Sequence, residues 1–119
     1  MIDRISILGT GLIGGSLGLS WQERRPDCTI VGFDGPDVLA AAEERGAIDK
    51  KAADPVTAVE DADLVVLATP LSAILKLLGS IAEHLPQGAF VTDVGSVKQP
   101  VLAQAADVLP DHVHFLGGH

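Results

Sequence analysis

The stretch ISILGTGLIGGS, Ile5 to Ser16, decides the fold. A short apolar run, Ile5 to Leu8, stops at a glycine, and Gly9, Gly11 and Gly14 then lead into a segment of helical character running toward Arg24. Brief apolar runs bounded by turn residues read as buried strands, and a strand that passes through a glycine-rich turn into a helix is the first unit of a parallel α/β sheet. In such a turn the first glycine permits the tight bend, the second lets the backbone come close to a ligand, and the third lets helix pack against strand.

Working outward, the same alternation continues. Apolar runs recur at Thr29 to Asp34, Leu64 to Ala68, Ala89 to Asp93 and His114 to Leu116, with a weaker strand signal near Ala52 and Ala53. Between them, Leu71, Ile74, Leu75, Leu78, Ile81, Ala82 and Leu85 follow the three-and-four spacing of one helix face. Val97, Val101, Ala105, Val108 and Leu109 repeat that spacing, and Val38, Leu39 and Ala42 do so in a shorter helix. All seven prolines stand at element borders or in a first helical turn, where a missing N–H costs little. The expected fold class is α/β: a Rossmann-type doubly wound parallel sheet, formed as a single domain over residues 1–119.

Composition narrows the function. Hydrophobic residues make up 47% of the 119, but only one Trp and three Phe are aromatic, so the core is aliphatic, as suits strands covered on both faces. A formal net charge of −8 repels a phosphate backbone and excludes nucleic acid as the expected partner. The opening MIDRISILGTG is too short in its apolar run for a signal or membrane segment, so a cytoplasmic location without a membrane partner is expected. The single cysteine, Cys28, reads as a small residue near the start of a strand. No metal site is expected.

Asp34 stands 20 residues after Gly14, at the end of the second strand, where the dinucleotide fold places the acid that binds the adenosine ribose. Its carboxylate can accept from a 2′-hydroxyl, whereas a 2′-phosphate about 4 Å away meets like charge at roughly 1–4 kcal/mol. Gly35, Pro36 and Asp37 supply no arginine to offset this, so the expected cofactor is NAD rather than NADP. The cofactor-contacting set is Gly9, Gly11, Leu12, Ile13, Gly14 and Asp34, joined by Thr69 and Pro70 after the LVVLA strand. Two other readings stay open: Asp34 as a helix cap before Pro36, and Thr69 as the cap of a helix that Pro70 starts.

Three more groups fall at the carboxyl edge of the sheet, where open α/β folds bind ligands. Ser96 in VTDVGSVK can cap the next helix or hydrogen-bond a substrate. Lys98 lies in a first helical turn, which disfavours a cation unless solvent or an anionic ligand offsets the dipole. His119, held by Gly117 and Gly118, is a candidate general base, since an imidazole titrates near neutral pH. His84 suits a helix end, and His112 and His114 read as surface or strand residues.

Taken together, GTGLIGGSLG, LVVLATP, VTDVGSVK and the closing FLGGH resemble the prephenate dehydrogenase family, which includes arogenate and cyclohexadienyl dehydrogenases. The resemblance covers essentially the whole chain, and DVGSVK followed by GGH is its most specific part. It implies that His119 binds the ring hydroxyl of prephenate or arogenate and acts as base, and that Ser96 holds the same hydroxyl beside the nicotinamide. It further implies hydride transfer to NAD with loss of carbon dioxide, the oxidative decarboxylation of tyrosine biosynthesis. Family members continue past this histidine with a mostly helical domain that dimerises and binds the substrate carboxylates. This sequence departs by stopping at His119, so it reads as the NAD-binding half of a homodimeric enzyme, inactive by itself. The alternatives are the nucleotide half of another dehydrogenase, such as a 3-hydroxyacid dehydrogenase, and a non-catalytic NAD-sensing module that needs the glycine turn and Asp34 but not His119.

Overall fold

A computed structural model of the chain describes residues 2–93, 109–110 and 112–117. Strands β1 (Arg4–Leu8), β2 (Thr29–Phe33), β3 (Lys50–Lys51), β4 (Leu64–Leu67), β5 (Phe90–Asp93) and β6 (His114–Gly117) alternate with helices α1 (Leu12–Arg24), α2 (Pro36–Glu44), α3 (Pro55–Val59) and α4 (Leu71–Ile81). All strand pairs are parallel, in the order β3-β2-β1-β4-β5-β6. The order reverses between β1 and β4, so the crevice of the doubly wound fold lies above the carboxyl ends of those two strands.

Alternation along the strands divides the core into two layers. Ile5 and Ile7 of β1, Ile30 of β2 and Val66 of β4 are buried against Leu39 and Ala42 of α2, with Leu17 and Trp21 of α1 packed alongside. On the other face Leu8, Val65, Leu67 and Val91 meet Ala58 and Val59 of α3 and Ile74, Leu78 and Ile81 of α4. Burying each such Leu or Ile contributes roughly 1.5–3 kcal/mol, and these contacts clamp the sheet from both sides. The buried Ser6 hydroxyl donates to the Ala58 carbonyl, which ties α3 to β1.

Several expectations are corrected. The weak strand near Ala52 and Ala53 is instead Lys50–Lys51, an exposed edge strand with no apolar signal. Residues 55–59 form a helix that was not anticipated, capped by Asp54, whose side chain accepts from the Thr57 amide at 2.8 Å. Val38 is exposed, and Leu39 and Ala42 carry the buried face of α2. The long helix expected to reach Leu85 ends at Ile81 and tightens into a 3₁₀ turn over Ala82–His84. Pro70 is the cap of α4 and not its first residue. Most of the helix expected between Val97 and Leu109 lies outside the described residues.

α2 ends in a Schellman motif: the Gly46 amide donates to Glu43 O at 3.0 Å and the Ala47 amide to Ala42 O at 2.9 Å. That turn feeds Ala47 and Ile48 into the core and sends the chain up β3 beside β2, with Gly32 opposite Lys51.

Candidate functional site

Only Gly9, Thr10 and Gly11 separate β1 from α1. Gly9 has φ +105°, and its amide donates to Phe33 O at 2.8 Å. A Cβ there would stand 2.6 Å from the Ala68 carbonyl oxygen and from Thr69 Cγ2, so the turn packs directly against the end of β4. A Cβ on Gly14 would fall 1.7 Å from Gly9 O, which is impossible without moving backbone. The fold itself therefore demands both glycines. Gly11 is different: a Cβ there meets nothing within 4 Å, and its backbone, at φ −73° and ψ −144°, is neither helical nor extended. As N-cap of α1 it gives that helix no side-chain hydrogen bond, and the first turn, which includes Leu12 and Ile13, contains no acidic residue. Side-chain packing therefore does not require a glycine at this position, and the space beside its backbone is open.

Thr10 is fully buried. Its methyl packs against Gly32, where a Cβ would lie 2.9 Å from Thr10 Cγ2, and its amide donates to Asp34 Oδ2 at 2.7 Å. Asp34 Oδ1 accepts from the Gly35 amide, also at 2.7 Å. The carboxylate is thereby held beside the glycine turn by two backbone bonds. An ionised carboxylate offers roughly four acceptor directions, so about two remain for hydroxyl donors. The cap of α2 is Gly35, without a side-chain bond, so Asp34 is not capping that helix.

Thr69 and Pro70 follow β4. The Thr69 hydroxyl does not cap α4, whose N-cap makes no side-chain hydrogen bond. The Oγ1 atoms of Thr10 and Thr69 are both buried without a hydrogen-bond partner, and both sit where β1 and β4 diverge. Leaving a buried hydroxyl unpaired costs about 1–3 kcal/mol, so these two groups mark polar capacity the fold does not use. Thr10 was not singled out from the sequence, because the residue between the first two glycines of the motif carries no type requirement.

Two open grooves flank the turn. One, of about 380 Å³, is lined by Asp34, Pro36, Leu39, Lys51, Ala52 and Ala53. The other, of about 430 Å³, is lined by Thr10, Gly11, Asp37, Val38, Ala41 and Arg45. Lys51 and Arg45 are cations that the sequence around Asp34 did not reveal, since β3 and the end of α2 bring them in from a distance.

At the far side of the crevice β5 ends on Asp93, fully buried and in register with Leu67 of β4 and Gly117 of β6. Ser96, Lys98 and His119 lie outside the described residues. His114 is at the opposite, amino edge, stacked on Phe90 with ring centroids 5.0 Å apart, and exposed His112 reaches Leu85 O at 3.3 Å. Neither approaches the crevice. Cys28 is buried and bonds the Ile2 carbonyl, as a small strand-start residue should. Among the described residues no group of His, Cys, Asp and Glu is arranged to hold a metal, and no helix is long and apolar enough to cross a membrane.

Residues 17–119 match the family described as prephenate dehydrogenase, nucleotide-binding domain. The prephenate dehydrogenase of Bacillus subtilis (strain 168) is 40% identical over 121 residues, covering 100% of this chain and 33% of that protein. Among solved structures, prephenate dehydrogenase from A. aeolicus in complex with hydroxyphenyl propionate and NAD+ superposes with a TM-score of 0.88 at 30% identity, over 100% of this chain and 42% of that one. Synechocystis arogenate dehydrogenase gives a TM-score of 0.82 at 32% identity, over 98% and 40%. The chain spans about a third of the length of the curated relatives it matches. A match over most of its residues, on a sheet wound in this order around this turn, means that the chain belongs to the prephenate dehydrogenase nucleotide-binding-domain family.

Proposed function

We propose that this chain binds NAD as the nucleotide half of a prephenate or arogenate dehydrogenase. The single observation that carries the reading is Gly11, where the backbone beside the turn faces open space that no side chain of the protein fills. The buried unpaired hydroxyls of Thr10 and Thr69 fit the same group, and so does the carboxylate of Asp34. In this arrangement Gly9 and Gly14 shape the turn. Backbone amides from Gly11 through Ile13 face the diphosphate at the positive end of α1. Asp34 accepts from the adenosine ribose, and Thr69 and Pro70 line the crevice beside it.

For the whole protein we propose the reaction that the resemblance implies. Bound NAD supplies the hydride acceptor. His119 takes the proton of the ring hydroxyl, and Ser96 holds that hydroxyl so that the C–H bond of the same carbon faces the acceptor. The ring carboxylate leaves as carbon dioxide, and the ring becomes aromatic. A helical region beyond this chain would bind the substrate carboxylates and form a homodimer, in the cytoplasm.

The test has two parts. Calorimetric titration of this chain with NAD should give saturable binding, and no heat at millimolar NAD would end the nucleotide reading. The protein at its relatives' full length should reduce NAD when given prephenate or arogenate, and His119→Gln should lower kcat by about 100-fold or more. NAD binding without substrate-dependent reduction would favour the sensing module.

A further inference from the structure

The residues that follow Asp34 hold no cation, yet the fold places one in its groove. β3 pairs with β2 so that Lys51 lies opposite Gly32, two residues before Asp34, and Lys51 lines the groove of about 380 Å³ that Asp34 also lines. It is the only cation among the described residues of that lining. Its Nζ lies 3.3 Å from Glu43 Oε1, and the two side chains are 47% and 45% exposed. An ion pair this exposed is weak, and a lysine ammonium on four methylenes turns easily toward another anion.

We infer that Lys51 is a latent contact for the 2′-phosphate of NADP, kept out of use by the charge of Asp34 and drawn aside by Glu43. This rests on the dinucleotide reading above. The groove lining carries one acid, Asp34, and one base, Lys51, while a second acid, Glu43, pairs with that base. A neutral 2′-hydroxyl gains an acceptor in Asp34, while a phosphate monoester meets its like charge and competes with Glu43 for Lys51. Cofactor choice is therefore set by Asp34 after β2, Glu43 of α2 and Lys51 of β3, and removing the first acid exposes a cation already in place.

Calorimetric titrations with NAD and with NADP test this on the chain as it stands and on its variants. Asp34→Asn, nearly isosteric, should raise the ratio of NADP to NAD affinity by about tenfold or more, an effect that shrinks with added salt. In the Asp34→Asn background, Lys51→Gln should cancel most of that gain and Lys51→Arg should keep it. Glu43→Gln should add roughly another two- to fivefold for NADP. The inference is overturned if Lys51→Gln leaves NADP affinity unchanged in that background while the melting temperature shows a folded protein. It is equally overturned if Arg45→Gln, in the neighbouring groove, cancels the gain instead. A wild-type chain that binds NAD together with either of these results defeats Lys51 alone, whereas a wild-type chain that binds neither dinucleotide defeats the nucleotide reading itself.

Discussion

The two edges of this one sheet are built from the same kinds of residue and differ in what they leave over. At the amino edge Asp63 accepts from the Asp3 and Arg4 amides at 2.9 and 3.0 Å, and Asp49 accepts from the Ile30 amide and Gln22 Nε2 at 2.8 and 2.9 Å. At the carboxyl edge Asp34 also clamps two amides. The clamps are alike; their surroundings are not. The amino edge offers a small cavity of about 160 Å³ between Ile2, Asp63 and the Pro86–Phe90 turn. The carboxyl edge carries two larger grooves, the two unpaired hydroxyls of Thr10 and Thr69, and the starts of α1, α2 and α4, none with a side-chain cap. One buried unpaired atom, Arg4 Nε, sits at the amino edge, away from the small cavity's lining. The asymmetry follows from parallel pairing: every helix that follows a strand begins at the carboxyl edge, so partial positive charge and unused amides collect there. A polar residue is a poor marker of a site; polar capacity the fold leaves unspent is a good one.

That contrast can be broken or sharpened by substitution. The largest effect belongs to the tightest glycine of the carboxyl edge: Gly14→Ala drives a methyl into Gly9 O and should cost about 3 kcal/mol or more in urea unfolding. A loss under about 1 kcal/mol would show that the turn is not the tight junction described. Next, Asp63→Ala should cost about 1–3 kcal/mol by orphaning two amides at the amino edge while NAD affinity stays as it was. A parallel fall in NAD affinity would erase the distinction between the edges. Gly11→Ala and Asp34→Ala should do the reverse. Gly11→Ala should weaken NAD about tenfold with stability changed by less than about 1 kcal/mol, and Asp34→Ala should weaken NAD more than NADP. Equal losses for both dinucleotides would take Asp34 out of the ribose site.

Smaller effects follow at single hydroxyls and caps. Thr69→Val removes an unpaired buried hydroxyl, so stability should hold or rise while NAD binds roughly two- to fivefold more weakly. The least effect is at Asp54, whose carboxyl is held below the usual aspartate range by the Thr57 amide it caps. A lowered folded pKa means its contribution is full above the unfolded aspartate value and disappears as pH falls through the folded one. Asp54→Ala should therefore lower the melting temperature slightly at neutral pH, and the gap to wild type should close in strong acid. A gap that persists there would assign the effect to packing.

Much of this was legible in the chain. The glycine spacing and the acid 20 residues on led to the expectation of a dinucleotide turn; in the structure Gly9 and Gly14 form the β1–α1 junction and Asp34 accepts from the Thr10 amide. The parallel α/β sheet followed from the alternation of short apolar runs with helical segments. β3 escaped because Lys50 and Lys51 are both exposed at a sheet edge, where no hydrophobic pattern is required. α3 escaped because five residues are too few to display a helical period. Val38 was misassigned because a nine-residue helix with three alanines in a row has more than one plausible apolar face. Ser96 and His119 were read from motifs alone and lie outside the described residues.

By itself the sequence determined what depends on neighbours a few residues away: which segments extend, which coil, and where a backbone must bend through Gly9. Only the tertiary structure decided that a side chain at Gly11 would meet nothing, that Thr10 and Thr69 keep idle hydroxyls, and that Lys51 shares a groove with Asp34. The physical reason is range. Turn chemistry and periodicity act along the chain, whereas the register between β2 and β3 and the junction of Gly9 with Ala68 are set by packing across the whole sheet.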